Sequence, residues 1–180
     1  YFTGFLTRFW ESPTRPWYLI IPQSGKPIAV IPSIGEALMS KTWVEDIRTW
    51  PSPDLTDDGI NLLSETLNEV AKKNRVGIPS GAETHVRIPR NDLIKLSQSV
   101  NLSHDFEIVK NLRMIKSKEE IIKIEKACMI AKEAFSRVPE IASENIRLDE
   151  VFRRFQVLCL EAGADWVPYL AGGADTEGYD

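Results

Sequence analysis

The side chains best suited to chemistry are few: two histidines, His85 and His104, and two cysteines, Cys128 and Cys159. Neither histidine has a second histidine, a cysteine or a carboxylate at the spacing of a metal-ligand pair, which favours a hydrogen-bonded or surface role for each. Both cysteines fall on apolar faces of predicted helices, so we expect buried free thiols rather than a disulfide or a metal pair. No Ser-His-Asp order, phosphate-binding loop or HExxH motif is present, so the residues alone contain no complete catalytic set.

A loop after the first predicted strand carries a second group of candidate residues. Trp10 lies in this loop with Arg8, Arg15 and Trp17 near it, and two prolines, at positions 13 and 16, restrict its backbone. The flat face of Trp10 could form the wall of a pocket. Packing of Trp10 against the neighbouring hairpin or against a partner subunit is an equally open interpretation.

Composition narrows the class of protein. The 180 residues are 43% hydrophobic and 27% charged, which is typical of a soluble globular chain. The formal net charge is −4, so the chain lacks the excess of positive charge that is typical of nucleic-acid-binding proteins. No apolar run approaches the roughly 18 residues that a membrane span needs, so we expect no membrane partner and a cytoplasmic location. The chain opens with Tyr1 in an aromatic run and closes in a glycine-rich stretch, which we interpret as a fragment of a longer protein.

The first part of the chain alternates between predicted strands and helices, the pattern of an α/β layer. Two short apolar runs separated by Ser24-Gly25 predict a β-hairpin. The helix of residues 54–73 has a predicted buried stripe of Ile60, Leu63, Leu67 and Val70. The predicted strands are 1–9, 17–22, 27–32, 44–50, 75–79 and 106–109, and the other predicted helices are 33–41 and 88–100.

The segment of residues 112–138 organises the second part. Ser117 and Glu120 have the spacing of a capping box at the start of a helix. An apolar stripe follows at helical spacing, which predicts a buried face. The stripe consists of Ile121, Ile124, Cys128, Ala131, Phe135 and Val138.

The remaining predicted elements are a helix of residues 147–162, ended by Gly163, and a strand of residues 166–170. The helix that begins at the Ser117 capping box is therefore interpreted as the opening of a second domain.

Three stretches together resemble one family. YFTGF at residues 1–5 resembles a strand in the N-terminal domain of the creatinase/prolidase/aminopeptidase P proteins. LRMIKSKEEI at residues 112–121 resembles the segment that leads into their catalytic domain, and LEAGAD at residues 160–165 is similar to a helix end in their pita-bread fold. The resemblance covers essentially the whole chain, in matching order.

The resemblance implies an α/β chain in two parts. Residues 1–111 would form a creatinase-type N-terminal domain, a mixed sheet flanked by helices that lacks its first elements. Residues 112–180 would begin a truncated α+β pita-bread domain. The implied whole protein is a homodimeric metallohydrolase with two divalent metal ions (Mn, Co, Zn or Fe). Two aspartates, a histidine and two glutamates would hold these ions downstream of Asp180, so the fragment itself would bind none.

The implied substrate is a small peptide of the Xaa-Pro type, with the N-terminal domain shaping the pocket. The candidate substrate-binding residues are Trp10, Arg8, Tyr169 and Tyr179. Many peptidases of the family place a Pro-His pair near residues 173–180, where this chain has no histidine. A non-peptidase relative therefore stays open as an alternative: a dimethylsulfoniopropionate lyase, a creatinase-like amidinohydrolase or a non-catalytic binding homologue.

Overall fold

The computed structural model describes residues 1–7, 15–174 and 177–179. The chain divides into two compact units, Tyr1–Arg113 and Met114–Asp180. No helix among the described residues is long and apolar enough to cross a membrane. The assignment of residues 1–111 and 112–180 to the two domains of the resembled family stays a prediction.

A three-stranded sheet forms the centre of the first unit. Its strands are β1 (Tyr18–Ile20), β2 (Ile28–Pro32) and β3 (Asp46–Trp50), in the order β1-β2-β3. The first two strands form the predicted antiparallel hairpin, and β3 runs parallel to β2. Every residue of β2 is buried, as expected for a continuous apolar run at the middle of a sheet. A short helix α1 (Glu36–Met39) lies in the crossover between β2 and β3.

A second, two-stranded sheet follows along the chain. Helix α2 (Ile60–Ala71) precedes β4 (Val76–Ile78), and helix α3 (Arg90–Ser99) connects β4 to the parallel strand β5 (Leu102–His104). This β-α-β arrangement is the usual connection of parallel strands. Helix α4 (Ile108–Met114) follows β5.

One hydrophobic core joins both sheets to α2 and α3. Three residues of the predicted α2 stripe are buried in it, and the fourth, Val70, is partly buried and packs against it. Val76 of β4 and Leu102 of β5 also pack against this core. Its buried members are Ile20, Ile28, Val30, Trp50, Ile60, Leu63, Leu67, Leu96 and Val100. The opposite face of the first sheet has a second cluster made of Ala29, Ile31, Met39 and Val44.

The second unit is mostly helical. It contains α5 (Lys118–Ser136), α6 (Val138–Ile141) and α7 (Leu148–Glu161), followed by the antiparallel strands β6 (Gly172–Ala174) and β7 (Glu177–Tyr179). The predicted capping box is present, because Ser117 Oγ accepts from the Glu120 N–H and Glu120 Oε2 accepts from the Ser117 N–H. Gly163, at φ +104°, ends α7 in the left-handed conformation.

Three predicted strands are wrong. Residues 1–7 form no strand, because Gly4 adopts φ +69° and the Phe5 N–H donates to Thr3 Oγ1 instead of to a neighbouring strand. Residues 106–109 form a turn and the start of α4, since Phe106 and Glu107 both have positive φ. Residues 166–170 are irregular, and the strands lie further on, in β6 and β7.

The predicted buried face of α5 is also wrong. Cys128 is exposed, and Ala134 is the only buried residue of α5. The helix packs against α7 near its C-terminal end, where the Phe135 and Phe155 ring centroids lie 4.8 Å apart. The prediction for the other cysteine is confirmed, because Cys159 is a buried free thiol in α7 and burial raises its pKa.

Candidate functional site

A groove of about 620 Å³ lies in the first unit beside β1. Aromatic side chains form much of its wall, among them Tyr1, Phe5, Trp17 and Tyr18. Its volume is within the range of ligand pockets. It is a concave surface of the first unit with both aromatic and charged lining, and we take it as the candidate site.

The first five residues are attached to the body of the unit by specific contacts. The Phe5 and Trp17 ring centroids lie 5.0 Å apart, and Trp43 Nε1 donates to the Phe2 carbonyl oxygen at 3.1 Å. The Tyr1 hydroxyl donates to the carbonyl oxygen of Leu112 at 3.5 Å. These contacts hold the aromatic segment in place as one wall of the groove.

The groove is basic. Arg15, Arg87, Arg113 and His85 line it, and no aspartate or glutamate does so among the described residues. The Arg113 guanidinium lies 5.6 Å from the centre of the Tyr1 ring, a cation–π distance. None of the three guanidinium groups forms an ion pair with a carboxylate of residues 1–7, 15–174 or 177–179. The lining side chains themselves therefore carry positive charge without a paired carboxylate in the part of the chain that the structure describes.

Two polar atoms at the floor of the groove are buried without a hydrogen-bond partner among the described residues, Trp17 Nε1 and the Tyr18 hydroxyl. Burial raises the pKa of Tyr18, and the nearby carboxylates of Asp92, Asp58 and Asp57 raise it further. Tyr18 therefore stays protonated at neutral pH, and its side chain cannot serve as a base there. It can only donate or accept a hydrogen bond.

The structure describes only two of the four predicted substrate-binding residues, Tyr169 and Tyr179. Trp10 and Arg8 lie outside the described residues, although Thr7 and Arg15, which flank their segment, both line the groove. Tyr169 belongs to the second unit, where its side chain is 69% exposed. Tyr179 lies in β7, opposite Gly172. Their roles stay predictions.

Sequence reasoning noted Arg15 beside the tryptophan loop but missed the other two groove-lining arginines, Arg87 and Arg113. Arg15, Arg87 and Arg113 come from distant parts of the chain, so no local spacing indicates that they meet. The histidines agree better with expectation: His104 Nδ1 accepts a hydrogen bond from the Phe106 N–H, as a hydrogen-bonded histidine would. Among the described residues there is no group of three or more His, Cys, Asp or Glu side chains that could hold a metal ion.

Comparison with known proteins gives a fold but no sequence match. No protein-family model matches the chain, and no curated protein does. Among solved structures, the prolidase from Thermococcus sibiricus matches with a TM-score of 0.71 and 22% identity, over 86% of this chain and 41% of that chain. The X-Pro aminopeptidase from Thermotoga maritima matches with a TM-score of 0.68 and 21% identity, over 94% of this chain and 42% of that one. The dipeptidase PepE from Mycobacterium ulcerans matches with a TM-score of 0.62 and 20% identity, over 88% of this chain and 40% of that one.

These likenesses decide the fold. The first unit has the fold of the N-terminal domain of prolidase-type structures. The predicted fold class, a mixed sheet flanked by helices in an α/β chain, is therefore confirmed. Since the first unit comprises only residues 1–113, a match over 94% of the chain includes part of the second unit as well. The chain spans less than half the length of each of these structures.

Proposed function

We propose that this chain is part of a metal-dependent hydrolase of the Xaa-Pro peptidase type, in which the first unit shapes the substrate pocket and the homodimer. The observation that supports the proposal is the fold likeness to a prolidase, an X-Pro aminopeptidase and a dipeptidase. The resemblance of residues 1–5, 112–121 and 160–165 to the same family supports it independently.

The described residues do not fit the pair of metal ions that this proposal implies, since they contain no group of three or more potential ligands. The metal-binding groups would therefore have to come from residues other than those described. We assign no chemical step to the present chain. Its proposed contribution is to bind and orient the substrate.

The proposed substrate-binding residues are those predicted from the sequence. Trp10 would offer a flat apolar face to a prolyl ring, and Arg8 would attract the carboxylate of a short peptide. Tyr169 and Tyr179 would contribute from the second unit. The exposed side chain of Tyr169 is available for such a contact.

The test is to express the complete gene product and to measure hydrolysis of an Xaa-Pro dipeptide with added Mn²⁺ and after treatment with a chelator. We expect hydrolysis that depends on the metal. The change of Trp10→Ala should lower kcat/KM at least about tenfold while metal content and dimerisation stay unchanged. Leu55→Ala is the control, because Leu55 is 99% exposed and does not line the groove.

Two outcomes would contradict the proposal. A metal-loaded protein without dipeptide hydrolysis would exclude the peptidase, and turnover of dimethylsulfoniopropionate or creatine in the same assay would establish the non-peptidase alternative. If Trp10→Ala instead converts the dimer into monomers, Trp10 has a structural role and its assignment to the pocket is wrong.

A further inference from the structure

The turn between β5 and α4, residues 105–107, has a strained backbone. Phe106 has φ +53° and Glu107 has φ +59°, so two successive residues with side chains adopt the left-handed region. This region brings Cβ too close to the following carbonyl oxygen, which makes it unfavourable for residues other than glycine. Such a conformation persists only where the surrounding contacts hold it. We call these three residues the β5–α4 turn.

Two side chains hold the β5–α4 turn by hydrogen bonds to its backbone. His104 Nδ1 accepts from the Phe106 N–H at 2.5 Å, and Asp105 Oδ1 accepts from the Glu107 N–H at 3.1 Å. Each bond joins a side chain to the backbone two residues further on, as in an Asx turn. Asp105 is buried, whereas the side chain of His104 is 44% exposed and can exchange protons with solvent. One of the two bonds is therefore open to control by pH.

Protonation of His104 removes the first bond and weakens the second. Nδ1 can accept a hydrogen bond only while it carries no proton, so the contact with the Phe106 N–H requires a neutral imidazole. A protonated Nδ1 is a donor, and it lies 3.7 Å from Asp105 Oδ1, the same oxygen that accepts from Glu107. Histidine is the side chain that ordinarily changes its charge between about pH 5 and pH 8.

Two ion pairs involve the β5–α4 turn within the described residues. Asp105 lies beside His104, and Glu107 pairs with Lys110 of α4 at 3.3 Å. The strand paired with β5 is β4 (Val76–Ile78), which has no titratable side chain. Since Glu107 already has a cationic partner, Asp105 is the carboxylate that responds to a charge on His104.

Helix α4 begins on the β5–α4 turn. The Ile108 N–H donates to the Asp105 carbonyl oxygen at 3.2 Å. The Asn111 N–H donates to the Glu107 carbonyl oxygen at 2.8 Å. None of the residues of α4 is buried, so packing into the core contributes little to holding the helix. The conformation of the turn therefore decides whether the first residues of α4 stay helical.

The end of α4 reaches the groove. Arg113 lines it, and the guanidinium of this residue lies 5.6 Å from the centre of the Tyr1 ring. The carbonyl oxygen of Leu112 accepts from the Tyr1 hydroxyl. A change at the start of this short helix can therefore affect one wall of the groove.

We propose that His104 is a pH-sensitive switch of the β5–α4 turn. At neutral pH the uncharged imidazole accepts from the Phe106 N–H and keeps the turn closed. In mild acid the imidazolium releases this N–H and competes for Asp105, so the two left-handed residues relax and the start of α4 loosens. The switch belongs to the first unit and does not depend on the proposed peptidase activity.

The test is hydrogen–deuterium exchange of the complete gene product at about pH 7.5 and about pH 5.5, on either side of the usual histidine titration. Each measured rate is divided by the intrinsic rate at the same pH, which gives a protection factor free of the chemical effect of pH. We expect protection across residues 105–111 to fall at least about fivefold at the lower pH, since a proton-linked equilibrium changes up to about tenfold per pH unit. Protection of β2, in the core of the same unit, should stay within about twofold.

Matched variants make the result specific. In His104→Asn, the amide oxygen can accept from the Phe106 N–H but does not titrate, so the turn should be protected at both pH values. His104→Phe has no acceptor and should leave the turn unprotected at both. His85→Asn removes the other histidine of the chain and should keep the pH response of the unmodified protein.

Several results would overturn the proposal. They are equal protection of the unmodified turn at both pH values, a pH response that persists in His104→Asn, a response lost in His85→Asn, and an equal loss of protection in β2. If His104→Phe does not fold, His104→Asn decides the question alone, because this variant keeps the hydrogen bond and removes only the titration.

Discussion

The two units of the chain use the same kind of amphipathic helix with different results. In the first unit, the apolar stripe of α2 is buried, because two sheets and α3 lie against it. In the second unit, α5 has a similar stripe, but Ala134 is its only buried residue. Helical spacing predicts which face of a helix can be buried. Whether that face is buried depends on whether a sheet or another helix packs against it.

The largest expected effect is in the first unit. Ile31 is fully buried in β2, so Ile31→Ala should lower the free energy of unfolding by about 4 kcal/mol through lost burial and a cavity. Ile122→Ala in α5, where the side chain is 64% exposed, should change it by less than about 0.5 kcal/mol. Urea unfolding followed by tryptophan fluorescence measures both. Similar losses at the two positions would mean that α5 is buried in solution.

Two glycines with positive φ give a second, smaller contrast. Gly59 has φ +84°, and a Cβ there would lie 2.4 Å from the buried ring of Trp50. Gly59→Ala should therefore lower the free energy of unfolding by about 3 kcal/mol, from backbone strain and overpacking together. Gly163 has φ +104° but open space around it, so Gly163→Ala should show backbone strain alone, about 1 kcal/mol.

Comparing the free energies of unfolding of the two glycine variants distinguishes packing from backbone conformation. If Gly59→Ala and Gly163→Ala lower the free energy of unfolding equally, the ring of Trp50 has moved aside and the first unit is less tightly packed than the structure indicates. Thermal unfolding followed by circular dichroism measures both variants. Circular dichroism reports on the backbone of both units, and the two changes lie in different units.

Local patterns predicted much of this fold. The hairpin, the stripe of α2 and the capping box of Ser117 and Glu120 each depend on residues close in sequence, and all three are present. Residues 1–7 of the predicted first strand form no strand, because Gly4 has a positive φ and the Thr3 side chain accepts from the Phe5 N–H. The arginine-lined groove could not be predicted, because its residues meet only through the tertiary fold.

Ion pairs provide the last and smallest contrast. Arg48 donates to Glu69 in the first unit and lowers the pKa of that carboxyl group, and Arg147 does the same to Asp149 in the second. The Arg48 side chain is 25% exposed, whereas that of Arg147 is 83% exposed. Salt should therefore screen the second pair more completely.

Both pairs should stabilise the chain at neutral pH and lose their effect in acid. A carboxylate whose pKa is lower in the folded than in the unfolded chain stabilises above the unfolded value, and the effect disappears as the pH falls through the folded value. The difference in unfolding midpoint between the unmodified chain and Glu69→Gln should thus shrink from about pH 7 toward about pH 3. The corresponding difference for Asp149→Asn should already vanish at neutral pH in about 0.5 M salt, where that for Glu69→Gln persists. Equal salt sensitivity of the two variants would show that the exposure of the arginine does not set the strength of these pairs.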